Sequence, residues 1–402
     1  MQQRHYRRGA VTAVLAAALG LTACGAPGNG SSGKGAPSTV PSKPAHPVTL
    51  NILDIAGNLQ LTKGMINDFA KAHPDVVGTV NTTKAPAPQM ASKLKAEENA
   101  GKVSTSLVLT GTDGLSAGIA NKLIVKILPD YSSKFPGLVG DYQKPAADMQ
   151  QLAQGYGVEL VYYPSGPLLE YNPAKVANPP TTPQQLLAWA KAHPGRFEYA
   201  HPANSGPGRT LLMGLPYLLA DSNPKDPVNG WSKTWAYLQQ LGKYIKYYPS
   251  GTSDTMKDLA SGSVDMIATT TGWDINPRVL GTVPNTVKVT MMQPMHWVTD
   301  AQYAIIPKGV PADVLSADLQ LIAFMLQPKE QAQAYDDGYF YPGPAVNGVT
   351  LSMAPAKSQQ AIAKYGRPQY GQWIAQYPKD ASLPANDQVT AFDKWDQTVG
   401  NK

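Results

Sequence analysis

From Val48 onward, short runs of β-branched and apolar residues alternate with longer amphipathic segments, and this order restricts the folds open to the chain. The short runs are typical of strands, and the segments between them space their apolar positions as a helix does. The pattern predicts strands over 48–54, 76–81 and 106–110, with helices over 61–73 and 88–99 between them. Such alternation favours an α/β fold built on parallel sheets, whose ligands lie beyond the carboxyl ends of the strands.

Polar residues directly follow two of these strands. Asp54 ends the first strand and Asn58 lies in the loop after it, and Thr112 and Asp113 come after the third. We expect these side chains to lie at one edge of the sheet and to contact a ligand there. Asp and Asn are also common in caps and turns, which is the alternative explanation for their positions.

The stretch 199–215, near the middle of the chain, has the pattern of a strand end, a loop of small residues and a helix. Asn204 or Ser205 can cap this helix, and Gly206 and Gly208 allow a ligand to approach the backbone. A helix that begins in this way presents free N–H groups and the positive end of its dipole. The stretch therefore predicts a ligand site, and a capped connection without a ligand is the alternative.

Two tryptophan–carboxylate pairs follow strands in the second half of the chain. One strand leads to Trp273 and Asp274, and the next leads to Trp297 and Asp300, just before a return strand that is predicted to begin at Ala301. Aromatic faces together with carboxylates favour an organic cation, through cation–π attraction and charge pairing. The alternative for each tryptophan is a packed position in a core or between two lobes.

The first 24 residues have the pattern of an export signal. Three arginines precede an apolar run over 10–21, which is too short for a stable membrane span. Cys24 is the single cysteine of the chain, and the tetrad Leu-Thr-Ala-Cys that it completes resembles the lipobox of bacterial lipoproteins. We expect residues 1–23 to be a signal peptide, and residues 24–47 to be the lipidated cysteine and a flexible linker. An ordinary signal peptide with an incidental cysteine is the alternative.

Charge and cysteine content exclude several classes of protein. The formal net charge of +6 falls to +3 when the three signal arginines leave. This charge is too small for an electrostatic nucleic-acid binder. No apolar run near 18 residues follows Cys24, so a body held by its lipid at the outer face of a bacterial cell membrane is the simplest topology. The motifs indicate no cofactor and no metal site.

An ordered set of motifs covers residues 21 to about 345. The set consists of the lipobox with its spacer, T-L-N-I-L-D, F-A-K-A-H-P, S-L-V-L-T-G-T-D-G, Y-G-V-E-L-V-Y, H-P-A-N-S-G-P-G, M-K-D-L-A-S-G-S-V-D-M and A-Q-Y-A-I-I-P-K-G. In this order and spacing, the chain resembles the extracellular solute-binding proteins of bacterial ABC importers. It is most similar to the branch that includes polyamine, thiamine and ferric-iron binders.

The resemblance implies a two-lobed α/β fold of the periplasmic-binding-protein type II. Each lobe would be a mostly parallel sheet flanked by helices, and hinge strands would join the lobes. Lobe 1 is expected over 48–157 and 301–345, and lobe 2 over 158–300 and 346–402. The resemblance also implies a monomer without enzymatic activity that delivers a small solute to an ABC permease with its ATPase.

For the ligand, the resemblance favours an organic cation such as a polyamine or a thiamine-like compound. Polyamine binders of this family carry a Trp followed shortly by an Asp at the return strand, and Trp297 and Asp300 occupy a comparable place with two residues between them. The main alternative is a solute with a phosphate, phosphonate or carboxylate group at the 205–208 helix start. An exported hydrolase is a further alternative, although G-x-S-x-G and H-E-x-x-H motifs are absent from the sequence. A ligand-sensing lipoprotein would use the same body.

Overall fold

The structure is a computed structural model that describes residues 39–55, 57–85 and 87–401. The predicted signal peptide, Cys24 and the predicted linker up to residue 38 lie outside the described residues. The strands are Val48–Asp54 (β1), Val77–Lys84 (β2), Leu107–Gly111 (β3), Gly157–Gly166 (β4), Leu168–Tyr171 (β5), Phe197–Glu198 (β6), Met266–Thr269 (β7), Lys288–Thr290 (β8), Trp297–Ile305 (β9), Gly343–Pro344 (β10) and Lys379–Ala381 (β11). The α-helices are Leu59–Ala72 (α1), Ala87–Asn99 (α2), Thr112–Ala120 (α3), Leu138–Asp141 (α4), Lys144–Leu152 (α5), Pro183–Ala192 (α6), Gly206–Leu218 (α7), Ser232–Gly242 (α8), Thr252–Ser261 (α9), Thr271–Val279 (α10), Ala312–Met325 (α11), Pro328–Gln331 (α12), Ala356–Tyr365 (α13), Pro368–Gln376 (α14) and Ala385–Trp395 (α15).

The strands form two sheets. The first has the order β10–β4–β9–β3–β1–β2, with β11 also paired to β9, and the second has the order β6–β7–β5–β8. β1 is parallel to β2 and β3, whereas β9 is antiparallel to β3 and β4, and β5 is antiparallel to β7 and β8. The predicted α/β class is confirmed. The sheets are mixed rather than mostly parallel, because β9 in the first sheet and β5 in the second each run antiparallel to two neighbouring strands.

Local sequence explains several helix boundaries. α6 begins after Thr182, whose side chain accepts a hydrogen bond from the N–H of Gln185 at 3.1 Å, and Pro183 occupies the first helical position. α1 ends at Ala72, before a proline at position 74, because the residue that precedes a proline disfavours helical backbone angles. α1 lies close to the predicted bounds of 61–73.

Two fully buried strands connect the sheets. β4 pairs with β9 from Gly157 to Gly166, and β5 of the second sheet begins only two residues later. β9 begins at Trp297, four residues before the predicted start at Ala301, and all nine of its residues are buried. The predicted start is wrong because β11 provides an additional parallel partner for Trp297, which extends the backbone pairing in that direction.

Separate apolar clusters support the two sheets. One cluster includes Leu50 and Ile322 beside the first sheet, and another includes Leu212 and Trp231 beside the second. Complete burial of a leucine or isoleucine side chain contributes about 1.5–3 kcal/mol relative to exposure. These two cores support the strand ends and helix starts that face each other between the sheets.

Glu198, in β6, gives the second sheet a pH-dependent stability. Its side chain is buried, and burial together with the carboxylates of Asp258 and Asp254 raises its pKa from about 4.5 to about 8. The folded state therefore holds a proton that the unfolded state releases above pH 4.5, so stability falls as the pH rises towards 8. Glu198→Gln should remove this fall of stability with pH, because the amide does not titrate. We expect the substitution to raise the free energy of unfolding at pH 8 by about 1–2 kcal/mol more than at pH 5. Urea unfolding at both pH values measures this difference, and an equal change at the two pH values would contradict the assignment.

Candidate ligand-binding site

A cleft with a volume of about 470 Å³ lies between the first and second sheets. Its walls come from the ends of β1 and β3 on one side and from the first turns of α7, α9 and α10 on the other. This is the position beyond the strand ends at which open α/β sheets bind ligands. Five of the residues that the sequence singles out line the cleft, namely Asp113, Asn204, Ser205, Gly206 and Trp273.

The start of α7 forms one wall. Ser205 caps the helix as predicted: its Oγ accepts a hydrogen bond from the N–H of Gly208 at 3.1 Å, and it lies 2.7 Å from the hydroxyl of Thr252 at the start of α9. Gly208 contacts the protein backbone and not the cleft, because a Cβ there would meet the carbonyl oxygen of Ala200 at 2.2 Å. Two helix starts and two hydroxyl groups therefore face the cleft at this wall.

Arg209, in the first turn of α7, supplies the positive charge of the cleft. The guanidinium is 5% exposed, and its Nη2 donates a hydrogen bond to Oδ2 of Asp300, which is fully buried. Burial lowers the pKa of Arg209, but the carboxylates of Asp300 and Asp113 more than offset this effect, and the pKa lies above its ordinary value. Among the described residues, none accepts a hydrogen bond from the buried Nε. Arg209 is thus a charged guanidinium that Asp300 holds in one position at the cleft.

Asp300 positions this guanidinium and does not itself line the cleft. Its carboxylate also accepts hydrogen bonds from the hydroxyls of Tyr163 and Thr112, both at 3.1 Å, and from the N–H of Ala301 at 2.9 Å. Burial and the negative charge of Asp300 raise the pKa of Tyr163 well above its usual value, so this hydroxyl stays a donor. The acidic residue predicted to bind a cation is instead the counter-ion of a cleft arginine.

A carboxylate and aromatic rings also line the cleft. Asp113 is half-buried at the start of α3 and accepts a hydrogen bond from the N–H of Gly114 at 2.9 Å. Trp273 lies in the first turn of α10, with its ring centroid 5.6 Å from that of Tyr339, and the two planes are nearly perpendicular at 70°. Among the described lining residues, Asp113 is the one carboxylate. The cleft therefore offers one anionic group, one cationic group and flat apolar surfaces.

Three further predicted residues lie behind the cleft wall. The carboxylate of Asp54 accepts a hydrogen bond from the N–H of Asn58 at 2.8 Å, which orders the start of α1. The Asn58 amide donates to the amide oxygen of Gln302 at 3.4 Å, and Gln302 lines the cleft. Asp54, Asn58 and Thr112 are buried, and each of them supports the wall instead of facing the cavity.

Trp297 and Asp274 are placed away from the cleft. The Trp297 ring is fully buried in an apolar cluster with Ile275, and its N–H donates to the carbonyl oxygen of Trp373 at 3.1 Å. Asp274 is fully buried and receives hydrogen bonds from two arginines and from Tyr370. Asp274 follows Trp273 directly, but consecutive helix residues do not share a face, so only Trp273 reaches the cavity.

The sequence pattern does not predict several of the cleft residues. Arg209 directly follows the glycines of the predicted helix start, and this place in the first turn indicates that it lies near the predicted site. Tyr163 lies in a fully buried strand, where no alternation distinguishes a residue that faces the cleft from one that faces the core. Thr252 and Tyr339 reach the cleft from segments far apart in the chain, and no local pattern indicates that they meet there.

The sequence pattern of the family described as bacterial extracellular solute-binding protein matches residues 64–365, about three quarters of the chain. The chain belongs to this family. Its members are extracellular binding proteins and not enzymes. A search of curated proteins finds no match for this solute-binding protein.

Solved structures show the same fold. An ABC transporter protein from Clostridium perfringens has a TM-score of 0.63 at 12% identity, and the match covers 88% of this chain and 99% of that one. The spermidine/putrescine ABC transporter substrate-binding protein from Streptococcus pneumoniae has a TM-score of 0.56 at 16% identity, with 86% and 99% covered. AfuA from Actinobacillus pleuropneumoniae, with fructose-6-phosphate bound, has a TM-score of 0.61 at 14% identity, with 87% and 98% covered. The solute-binding protein thus has the predicted two-lobed fold of periplasmic binding proteins.

Two further observations concern the described part of this solute-binding protein. None of its helices there is long and apolar enough to cross a membrane. Within the same residues, no three His, Cys, Asp or Glu side chains are grouped so that they could hold a metal ion.

Proposed function

We propose that this protein captures one small solute in the cleft and delivers it, chemically unaltered, to a membrane permease driven by a separate ATPase. Membership of a solute-binding family supports the capture, and the fold shared with ABC-transporter proteins supports the permease as partner. The proposal includes a monomer that is anchored outside the cell membrane by a lipid on Cys24.

Closure of the cleft would use the segments that run between the sheets. β4 ends at Gly166 and β5 begins at Leu168, while six residues separate β8 from Trp297 at the start of β9. Short crossing segments of this kind support a hinge that brings two lobes together around a ligand. They favour lobe boundaries near 167 and 296 over the predicted boundaries at 157/158 and 300/301.

The solute that fits best bears a carboxylate or phosphate group together with a cationic group. The single observation behind this choice is the buried guanidinium of Arg209, which lines the cleft while its ion-pair partner Asp300 does not. A planar guanidinium matches carboxylate and phosphate oxygens, and the hydroxyl of Thr252 lies at the same wall. Asp113 would pair with the cationic group, and Trp273 would pack against the body of the solute.

An organic cation without an acidic group, such as a polyamine or a thiamine-like compound, is the second candidate. Asp113 and the rings of Trp273 and Tyr339 favour it through charge pairing and cation–π attraction. It would, however, leave Arg209 desolvated and facing a second cation once the cleft closed. For this reason a solute with both charges is preferred.

A thermal-shift screen of the full chain tests the proposal. The compounds are polyamines, thiamine and its phosphates, aminophosphonates, sugar phosphates, sugars and ferric complexes. A ligand at 100 times its Kd stabilises the native state by about 2.7 kcal/mol. We expect a shift with a solute that bears an acidic group, and weaker binding of that solute by Arg209→Lys in calorimetry. A shift with polyamines alone would select the second candidate, and no shift with any small solute would contradict solute capture.

The two tryptophans should respond differently to substitution. Trp273→Ala should weaken solute binding about 5- to 30-fold, because it removes a stacking surface worth about 1–2 kcal/mol, and should leave the fold intact. Trp297→Ala should lower the free energy of unfolding by about 3–5 kcal/mol through the cavity it creates, with the Kd of the solute unchanged. Calorimetry and urea unfolding on both variants measure these effects. Loss of binding in Trp297→Ala with normal stability would contradict its placement in the core.

A further inference from the structure

A second cavity, also of about 470 Å³, lies beside α10, β8 and the α13–α14 connection, and shares no lining residue with the cleft. Four cationic side chains line it: Arg278, Lys288, Lys364 and Arg367. Asn285 and Gln369 add amide groups, and no carboxylate is among the described lining residues. We call this cavity, defined by these six side chains, the basic pocket.

The two arginines of the basic pocket are fixed from behind by Asp274. Nη2 of Arg278 donates to Asp274 at 2.8 Å and Nη2 of Arg367 donates to it at 2.7 Å, while the Nε atoms donate to its backbone carbonyl and its carboxylate respectively. The Nη2 atoms also donate to the carbonyl oxygens of Tyr365 and Val287. Neither Nη1 donates to any described residue. The Nε and Nη2 atoms of both guanidinium groups are therefore engaged, and both arginines line the cavity.

The positive charge of the basic pocket is only partly compensated. Asp274 is one carboxylate against four cations, and neither Lys288 nor Lys364 forms an ion pair with a described residue. Burial and the neighbouring Asp274 raise the pKa of Glu170, the next carboxyl group behind the arginines, well above its ordinary value. Glu170 therefore neutralises little of the charge. Arg278 is 5% exposed, so part of this excess charge is held in a desolvated and positioned form.

We propose that the basic pocket binds a phosphate group, carried either by a small soluble anion or by the headgroup of an anionic phospholipid. Fixed guanidinium donors match the oxygens of phosphate, and the two exposed lysines add positive charge. Clusters of basic side chains on a protein held near a membrane also attract anionic lipids. The pocket is separate from the cleft, so solute capture does not depend on it.

Titration of the full chain with inorganic phosphate, and then with glycerophosphoglycerol, tests the proposal by phosphorus NMR and calorimetry. The test variant is the double substitution Lys288→Gln and Lys364→Gln, because both side chains are exposed and neither forms an ion pair with a described residue. The matched control is Lys191→Gln with Lys243→Gln, two exposed lysines on α6 and beside α8. We expect about a tenfold or greater loss of affinity in the test variant, no loss in the control, and weakening by salt.

Hydrogen exchange on the full chain in nanodiscs distinguishes the two sources of phosphate. Protection of residues 285–289 and 364–369 in discs with phosphatidylglycerol, but not in discs of phosphatidylcholine alone, selects the lipid headgroup. Binding of soluble phosphate without that protection selects a free anion. Equal affinity in the test variant and the wild type, or neither binding at millimolar phosphate nor protection by phosphatidylglycerol, would overturn the proposal.

Discussion

Arg209→Met should abolish solute binding and lower the free energy of unfolding by about 3–5 kcal/mol. The substitution keeps most of the side-chain volume but leaves the carboxylate of Asp300 buried without its cation. Removal of one partner from a buried ion pair is far more destabilising than loss of an exposed pair. Urea unfolding measures the loss of stability, and calorimetry with a solute identified in the screen measures the loss of affinity.

A double variant separates these two effects. Arg209→Met combined with Asp300→Asn removes both charges, so much of the lost stability should return, while the hydroxyls of Tyr163 and Thr112 keep a side-chain oxygen to contact. Solute binding should stay absent, because the cleft still lacks its guanidinium. Recovery of binding together with stability would show that Arg209 only maintains the fold and does not contact the solute.

Asp274→Ala should also lower the free energy of unfolding by about 3–5 kcal/mol. It would leave Arg278 and Arg367 close together without their shared carboxylate and would remove the acceptor of the Tyr370 hydroxyl. Urea unfolding measures the effect, and Asp393→Ala, an exposed site on α15, serves as the control with a change of about 0.5 kcal/mol or less.

The same variant distinguishes two roles for Asp274. The sequence pattern treats it as a ligand contact, whereas its carboxylate lies in the ion-pair cluster behind the basic pocket. We expect the Kd of the solute to change by less than about twofold in Asp274→Ala. The Kd is measured without urea, at a temperature at which the variant is folded. A large loss of affinity with little loss of stability would restore the sequence-based role.

The sequence predicts elements whose determinants are local. Ser205 caps a helix where the pattern of small polar residues indicates it, and the first strands and helices fall within a few residues of their predicted bounds. The α/β class follows from the same alternation. Helix caps and strand ends then identify Asp113, Ser205 and Trp273 as cleft residues, because in this fold the strand ends and helix starts surround the cleft.

The remaining part of the site depends on contacts between distant segments. β9 is buried along its whole length, so its sequence does not distinguish Trp297, which faces a core, from a residue at the cleft. Likewise, the pairing of Asp300 with Arg209 joins residues 91 positions apart. A carboxylate beside a tryptophan in sequence favours a cation site, but its actual partner is decided by the packing of α7 against β9.

The central claim is that the cleft holds a small molecule and leaves it unchanged, and the most direct measurement is of what the protein contains. The full-length protein would be purified without denaturation from cells that make it, and the released small molecules identified by mass spectrometry and bound again. The account predicts about one molecule per chain with an acidic group, recovered with its mass unchanged after prolonged incubation, and an empty Arg209→Met protein. A molecule converted to a product, or equal occupancy of the wild type and of folded Arg209→Met, would contradict the account.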